Sequence, residues 1–173
     1  MTFWLVTVLA MLAVLSPVLV LRPSRRDQRL GGLRQHARQA GIGVKIAKPP
    51  LHDPPGGLVS YCWRYPQAHP GPLFLLVRDA YASAALKPFD TEWRWRIEPL
   101  KPLSQDSAAA LARLLASLPE DALIVESERG ALTLWWGESL SLEAFETCDK
   151  AMGEVRDRLA SPHVEKGLSG RLP

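Results

Sequence analysis

Residues 92–98 read EWRWRIE and alternate strictly, with Trp93, Trp95 and Ile97 on one side and Arg94 and Arg96 on the other. A repeat of two is the signature of an extended strand with one covered and one wetter face. Such a strand needs neighbours to pair with and a layer to cover it. Other runs supply the neighbours. Residues 42–48, IGVKIAK, alternate over a short length, and residues 58–65, LVSYCWRY, are rich in strand formers. Residues 73–78, LFLLVR, form a continuous apolar run suited to a central strand. Residues 123–127 and 131–136 flank Glu128-Arg129-Gly130 and read as a hairpin. Proline and glycine break the chain between runs, at Pro49-Pro50, at Pro54-Pro55-Gly56-Gly57 and across 66–72, while residues 80–86 read as a helical turn or loop.

Three helical patterns supply the cover. Pro23 and Ser24 suit a helix start, Leu30, Leu33, Ala37 and Ala40 recur at helical spacing, and Gly41 suits the stop. Gly31-Gly32 weakens this helix by roughly 1 kcal/mol per glycine relative to alanine. Its thin apolar face favours packing on the domain over lying on a membrane. Ser104 caps a second helix with a stripe of Ala108, Leu111, Leu114, Leu115 and Leu118, ended by Pro119. Ser141 caps a third, along which Leu142, Phe145, Cys148, Met152, Val155 and Leu159 follow at three- or four-residue steps, and Pro162 closes it. The order is helix, four strands, helix, hairpin, helix. It predicts an α+β fold with a mostly antiparallel sheet of about 5–6 strands and two or three helices packed on it.

The N-terminal end has another character. Residues 2–21, TFWLVTVLAMLAVLSPVLVL, carry no charge. Twenty helical residues span about 30 Å, the thickness of a hydrocarbon core. Trp4 suits one interface, and Pro17 is a kink that membrane helices tolerate. A cleavable signal peptide would need a positive n-region, and Met1-Thr2-Phe3 has none. The fold therefore starts with a transmembrane helix over 2–21. Residues 22–48 then carry eight Lys/Arg against Asp27, for +7, whereas the remainder of the chain carries −4. Arg22, Arg25, Arg26 and Arg29 form the membrane flank. They mark the cytoplasmic side and face anionic lipid headgroups, at roughly 1 kcal/mol each. The expected organisation is a transmembrane helix over 2–21, a basic juxtamembrane helix or linker over 22–41, a cytoplasmic α+β domain over 42–161 and a flexible tail over 162–173. A mildly acidic domain argues against a nucleic-acid partner.

An uncharged span, then Arg22-Pro23, then a basic run entering a helix resembles the start of YajC, the accessory subunit of the Sec preprotein translocase. The resemblance covers about residues 10–40, under a fifth of the chain. It implies a cytoplasmic C-terminal domain and a translocase-associated role. That family continues into a short glycine-rich β domain. Gly56-Gly57-Leu58-Val59 echoes one piece of it, and the surrounding pattern is missing from this longer chain. Together with the Ala/Leu/Arg-rich composition, the resemblance points to a bacterial inner membrane protein with a periplasmic N-terminus.

No residue is assigned to catalysis, a cofactor or a metal. Cys62, His52 and His69 lie within eighteen residues, but zinc spacings are absent. Cys62 and Cys148 are expected as thiols, Cys148 on the apolar stripe of the last helix. No nucleotide-binding or hydrolase motif occurs. Of six tryptophans, Trp135 and Trp136 are adjacent in a strand, so one faces the core and the other the opposite sheet face, where an exposed indole would be an interface candidate. Arg64, Arg94 and Arg96 share that opposite face, either as an anion-binding cluster or paired across strands with Glu92, Glu98 and Glu126. Glu138, Glu143 and Glu146 read as surface charges. The leading expectation is a single-pass membrane-anchored, non-enzymatic accessory or protein-interaction module with an unidentified protein partner. The alternatives are a YajC-like translocase subunit and a membrane-tethered enzyme or small-ligand-binding domain. The last would show a deep pocket with converging polar groups.

Overall fold

The computed structural model describes residues 24–160 together with Phe3, Trp4, Val6, Thr7, Val8 and Met11. The first helix within 24–160, α1 (Arg25–Gln39), starts at a capping box. The Ser24 hydroxyl accepts from the Asp27 amide, and the Asp27 carboxylate accepts from the Ser24 amide, both at 3.1 Å. The helix runs through Gly31-Gly32 without a break, and Gly41, at φ +81°, turns the chain into the sheet.

Six strands follow in one sheet: β1 (Gly43–Lys45), β2 (Val59–Arg64), β3 (Phe74–Arg78), β4 (Trp93–Ile97), β5 (Ala122–Ser127) and β6 (Ala131–Trp136). A short 3-10 turn, Asp79–Tyr81, follows β3. Helix α2 (Gln105–Ser117) precedes the β5–β6 hairpin, and α3 (Leu142–Ala160) follows it. The spatial order is β1-β2-β6-β5-β3-β4, with every pairing antiparallel. The fold is α+β, and the hairpin forms the middle of the sheet. β2 and β3, consecutive in sequence, are therefore separated by the two hairpin strands.

The helices cover one face. Val59, Tyr61 and Trp63 of β2, Trp136 of β6 and Trp93 of β4 meet Leu111, Leu115, Phe145, Met152 and Val155 in the main core. Leu33 and Ala37 of α1 belong to that core, so this helix packs on the sheet. Trp136 stacks on Phe145, and Tyr61 meets both rings edge to face. The other face carries a smaller cluster of Leu58, Leu75, Val77, Leu123, Ile124 and Trp135, roofed by Leu51 and Ala82 from two loops. Irregular register explains part of this layout. In β5 the pairing with β6 skips Leu123, which puts Leu123 and Ile124 together in the smaller cluster. In β4 the pairing skips Arg96, so Ile97 lies opposite Leu75 and leaves the line of Trp93 and Trp95.

Two expectations are corrected. Among the described residues no helix is long and apolar enough to cross a membrane. Among the described helices only α3 reaches eighteen residues, and charge rules it out. At nineteen residues α3 would span about 28 Å, but it carries Glu143, Glu146, Asp149, Lys150 and Glu154 along its length. This overturns the expected transmembrane helix and, with it, the single-pass inner-membrane placement. The span 2–21 lies outside the described residues, apart from six that are helical and exposed; the expected tail over 162–173 and Arg22 lie outside them too. Second, Glu138 is no surface charge. Its side chain is 2% exposed and its backbone has φ 63°.

Candidate functional site

A concavity of about 1020 Å³ opens where three segments meet: the 66–73 loop after β2, the stretch leading into α2, and the end of α3. Its first wall is fixed by β2 and the hairpin. The Tyr65 amide donates to the Gly130 carbonyl at 2.9 Å and the Gly71 amide to the Arg129 carbonyl at 3.2 Å. Ser127 Oγ donates to the Pro72 carbonyl at 2.5 Å, so its lone pairs face the Tyr65 hydroxyl, 2.8 Å away. Gly71 lies flat on the Tyr65 ring, where an added Cβ would come within 2.0 Å of Cε2. Burial pushes the Tyr65 hydroxyl up to about 12.

The second wall is the start of α2. Ser104 Oγ accepts from the Ser107 amide at 3.1 Å, and Ser107 Oγ donates to the Arg158 carbonyl at 3.3 Å, which joins α2 to the end of α3. Leu100 is 99% exposed and Leu73 56%, and both line the cleft. Lys101, Arg129 and Arg158 line it as well and are exposed. Among the described residues their cationic groups have no hydrogen bond or ion pair. Asp106 is the one acidic residue of the lining, and His69 stands on the first wall.

A second polar constellation lies at the other end of β6. Arg34 clamps the Glu138 carboxylate with Nε at 2.8 Å and Nη2 at 2.5 Å, and the Tyr61 hydroxyl donates to the same carboxylate at 2.7 Å. Arg29 donates to the carbonyls of Glu138, Ser139 and Leu140. These bonds tie α1 to the turn that follows β6. The hydrogen bond to Glu138 holds the Arg34 guanidinium above its ordinary range, and burial, then Glu138, raises the Tyr61 hydroxyl. The Glu138 carboxylate is buried and engaged at both oxygens, while Arg34 keeps its Nη1 edge toward a second, smaller concavity lined by Pro49, Pro54 and Leu58.

The residues singled out from the sequence do not assemble into a site. Arg64 on β2 and Arg94 and Arg96 on β4 stand four strands apart, roughly 19 Å at the usual spacing. Arg94 is engaged by Asp79 and by the carbonyls of Ala84 and Leu86. Their expected carboxylate partners are used elsewhere. Glu92 pairs with Arg78 and Glu98 with Lys87, while Glu126 accepts from Trp135 Nε1 at 3.1 Å. Trp135 and Trp136 do face opposite sides, but both are buried, so neither indole is an exposed anchor. Arg25 and Arg26 are exposed, and Arg29 serves the clamp. Cys62 accepts from the Thr133 hydroxyl at 3.4 Å and is not part of the cleft lining that includes His69. No group of three or more His, Cys, Asp or Glu able to hold a metal occurs among the described residues. The cleft itself was missed. Its sequence signals are faint: the proline-rich loops 66–72 and 99–102 and the isolated Leu100-Lys101 pair.

No protein family, curated protein or solved structure matches this chain, so the resemblance of residues 10–40 to YajC is neither supported nor refuted and the functional reading rests on the cleft.

Proposed function

We propose that this chain is a protein-interaction module of accessory type, and that it takes hold of its partner at the cleft between the 66–73 loop, α2 and the end of α3. The observation that carries the reading is the combination, in one concavity, of solvent-facing leucines with cations that have no partner among the described residues. An isolated domain gains nothing from Leu100 standing in water, whereas an interface buries such a side chain and adds a charged rim. A second reading, a small-ligand-binding domain, is favoured by the cleft volume, which is at the upper end of ligand pockets.

The test is a photo-crosslinking amino acid at position 100 of the full chain in its native cell, beside a control at Arg64. The expected result is one discrete protein adduct, seen at position 100 and absent at 64. Adducts of equal yield at both positions, or none at 100, would remove the reading. A preprotein translocase component in that adduct would support the YajC resemblance, and any other protein would remove it.

A further inference from the structure

We infer that the cleft receives an acidic, leucine-bearing segment of a partner protein; the inference rests on the cleft being the binding site. Lys101, Arg129 and Arg158 come from three different segments and converge on one concavity, with Asp106 as the single carboxylate of the lining. Arg29 and Arg34 are spent on the Glu138 turn, Arg78 on Glu92 and two carbonyls, and Arg94 on Asp79, while the exposed Arg64 and Arg96 line neither described concavity. The N-terminus of α2, capped by Ser104, and the C-terminal end of α3 both face the cleft and contribute partial charges of opposite sign, so the three side-chain cations set the charge of the rim. The lining between the cations is apolar, with Leu73, Leu100, Leu103 and Leu159. Carboxylates for the rim and bulky aliphatic side chains for the floor therefore describe the complementary ligand.

Two other occupants fit less well. No Trp, Tyr or Phe lines the cleft and His69 is its single aromatic ring, so successive unstacked bases would find no run of stacking platforms there. Residues 161–173 continue the chain from Ala160 at the cleft edge, but Glu165 is their one acidic side chain against Lys166 and Arg171. They lack the negative charge that the rim calls for.

The experiment is fluorescence anisotropy of the full chain with a short peptide of glutamates and leucines. Its glutamine–leucine and lysine–leucine counterparts are measured in parallel, and inorganic phosphate and oligothymidine serve as competitors. The acidic peptide is expected to bind saturably and the lysine peptide not to bind. Added salt weakens the complex, and K101E/R129E/R158E lowers affinity by about tenfold or more, as three exposed charge pairs would. Equal binding of acidic and glutamine peptides, lost in L100S, would overturn the acidic class and leave the cleft as the binding site. Displacement by phosphate or oligothymidine at matched concentration would mark a general anion site and overturn the inference. No binding of any peptide would overturn both the inference and the reading beneath it.

Discussion

Strand β6 joins two regions that treat charge in opposite ways. Beyond its C-terminal end, Glu138 is buried and meets Arg34 and Tyr61, while its carbonyl is taken by Arg29. Before its N-terminal end, Arg129 stands in solvent beside a cleft that it shares with Lys101 and Arg158, and none of the three has a partner within the described residues. A buried ion pair is costly to break because one charge is left stranded, whereas an exposed lone cation contributes little to folding. The contrast separates what holds the molecule together from what remains available to something else. Polar groups that satisfy one another belong to the fold. Those left over at a concavity are the ones to interrogate for binding.

The largest test of this contrast is E138A, which should cost about 3–5 kcal/mol by urea denaturation, because Arg34 and Tyr61 lose the carboxylate they face. E138G should be milder by about 1 kcal/mol, since glycine relieves the left-handed backbone at this position. R34A/E138A should fall short of the summed single losses by roughly 2 kcal/mol, the sign of a coupled pair. Simple additivity would mean that the clamp is no unit, and the contrast would collapse.

On the cleft side the expected sensitivity is steric. G71A drives a methyl into the Tyr65 ring, a rigid plane held by Ser127. It should cost about 1–3 kcal/mol, the usual range for overpacking, and should weaken binding of the acidic peptide by displacing the wall. Unchanged affinity with lowered stability would detach the loop from recognition.

Alkaline pH probes both ends at once. Burial pushes the Cys148 thiol from 9.0 up to about 12 and the Tyr65 hydroxyl from 10.0 up to about 12, and raises Tyr61 too. All three are neutral in the folded state at pH 9. The unfolded chain releases these protons first, so the folded state binds more of them and stability falls as pH rises. The fall should start near pH 9 through Cys148 and steepen above 10 through the tyrosines, at about 1.4 kcal/mol per pH unit for each group within its window. C148A should flatten the step between pH 9 and 10. Y61F and Y65F should each reduce the slope above 10, reporting the clamp end and the cleft end separately. A stability flat from pH 9 to 11 would contradict the burial of all three.

The elements were legible because their signals are local. Alternation marked β4, and apolar steps marked α3 through Leu142, Phe145, Cys148, Met152, Val155 and Leu159, all of them buried except Leu142 at the exposed start of the helix. What failed depends on the partner. The bulge at Arg96 that moves Ile97 out of line arises from pairing with β3 and leaves no trace in the alternation. Glu138 looked like one more surface carboxylate because Arg34 lies 104 residues away. Arg64, Arg94 and Arg96 were read as one cluster, but strand order separates β2 from β4 and Arg96 sits at the bulge that the pairing skips. The cleft is built from loop and helix ends, where periodicity carries no information.

The smallest expected effect is the most discriminating. K101Q, R129Q and R158Q should each change stability by less than about 0.5 kcal/mol, because an exposed cation with no partner leaves nothing stranded when it goes. Thermal denaturation of the three variants checks this directly. The outcome bears on both regions. If one of them destabilises as E138A does, its charge already belongs to the fold, and the cleft loses a contact that a ligand would have used. If all three are silent in stability and each weakens the acidic peptide, the division holds. The fold then spends its buried charges on α1 and β6 and keeps its exposed ones for a partner.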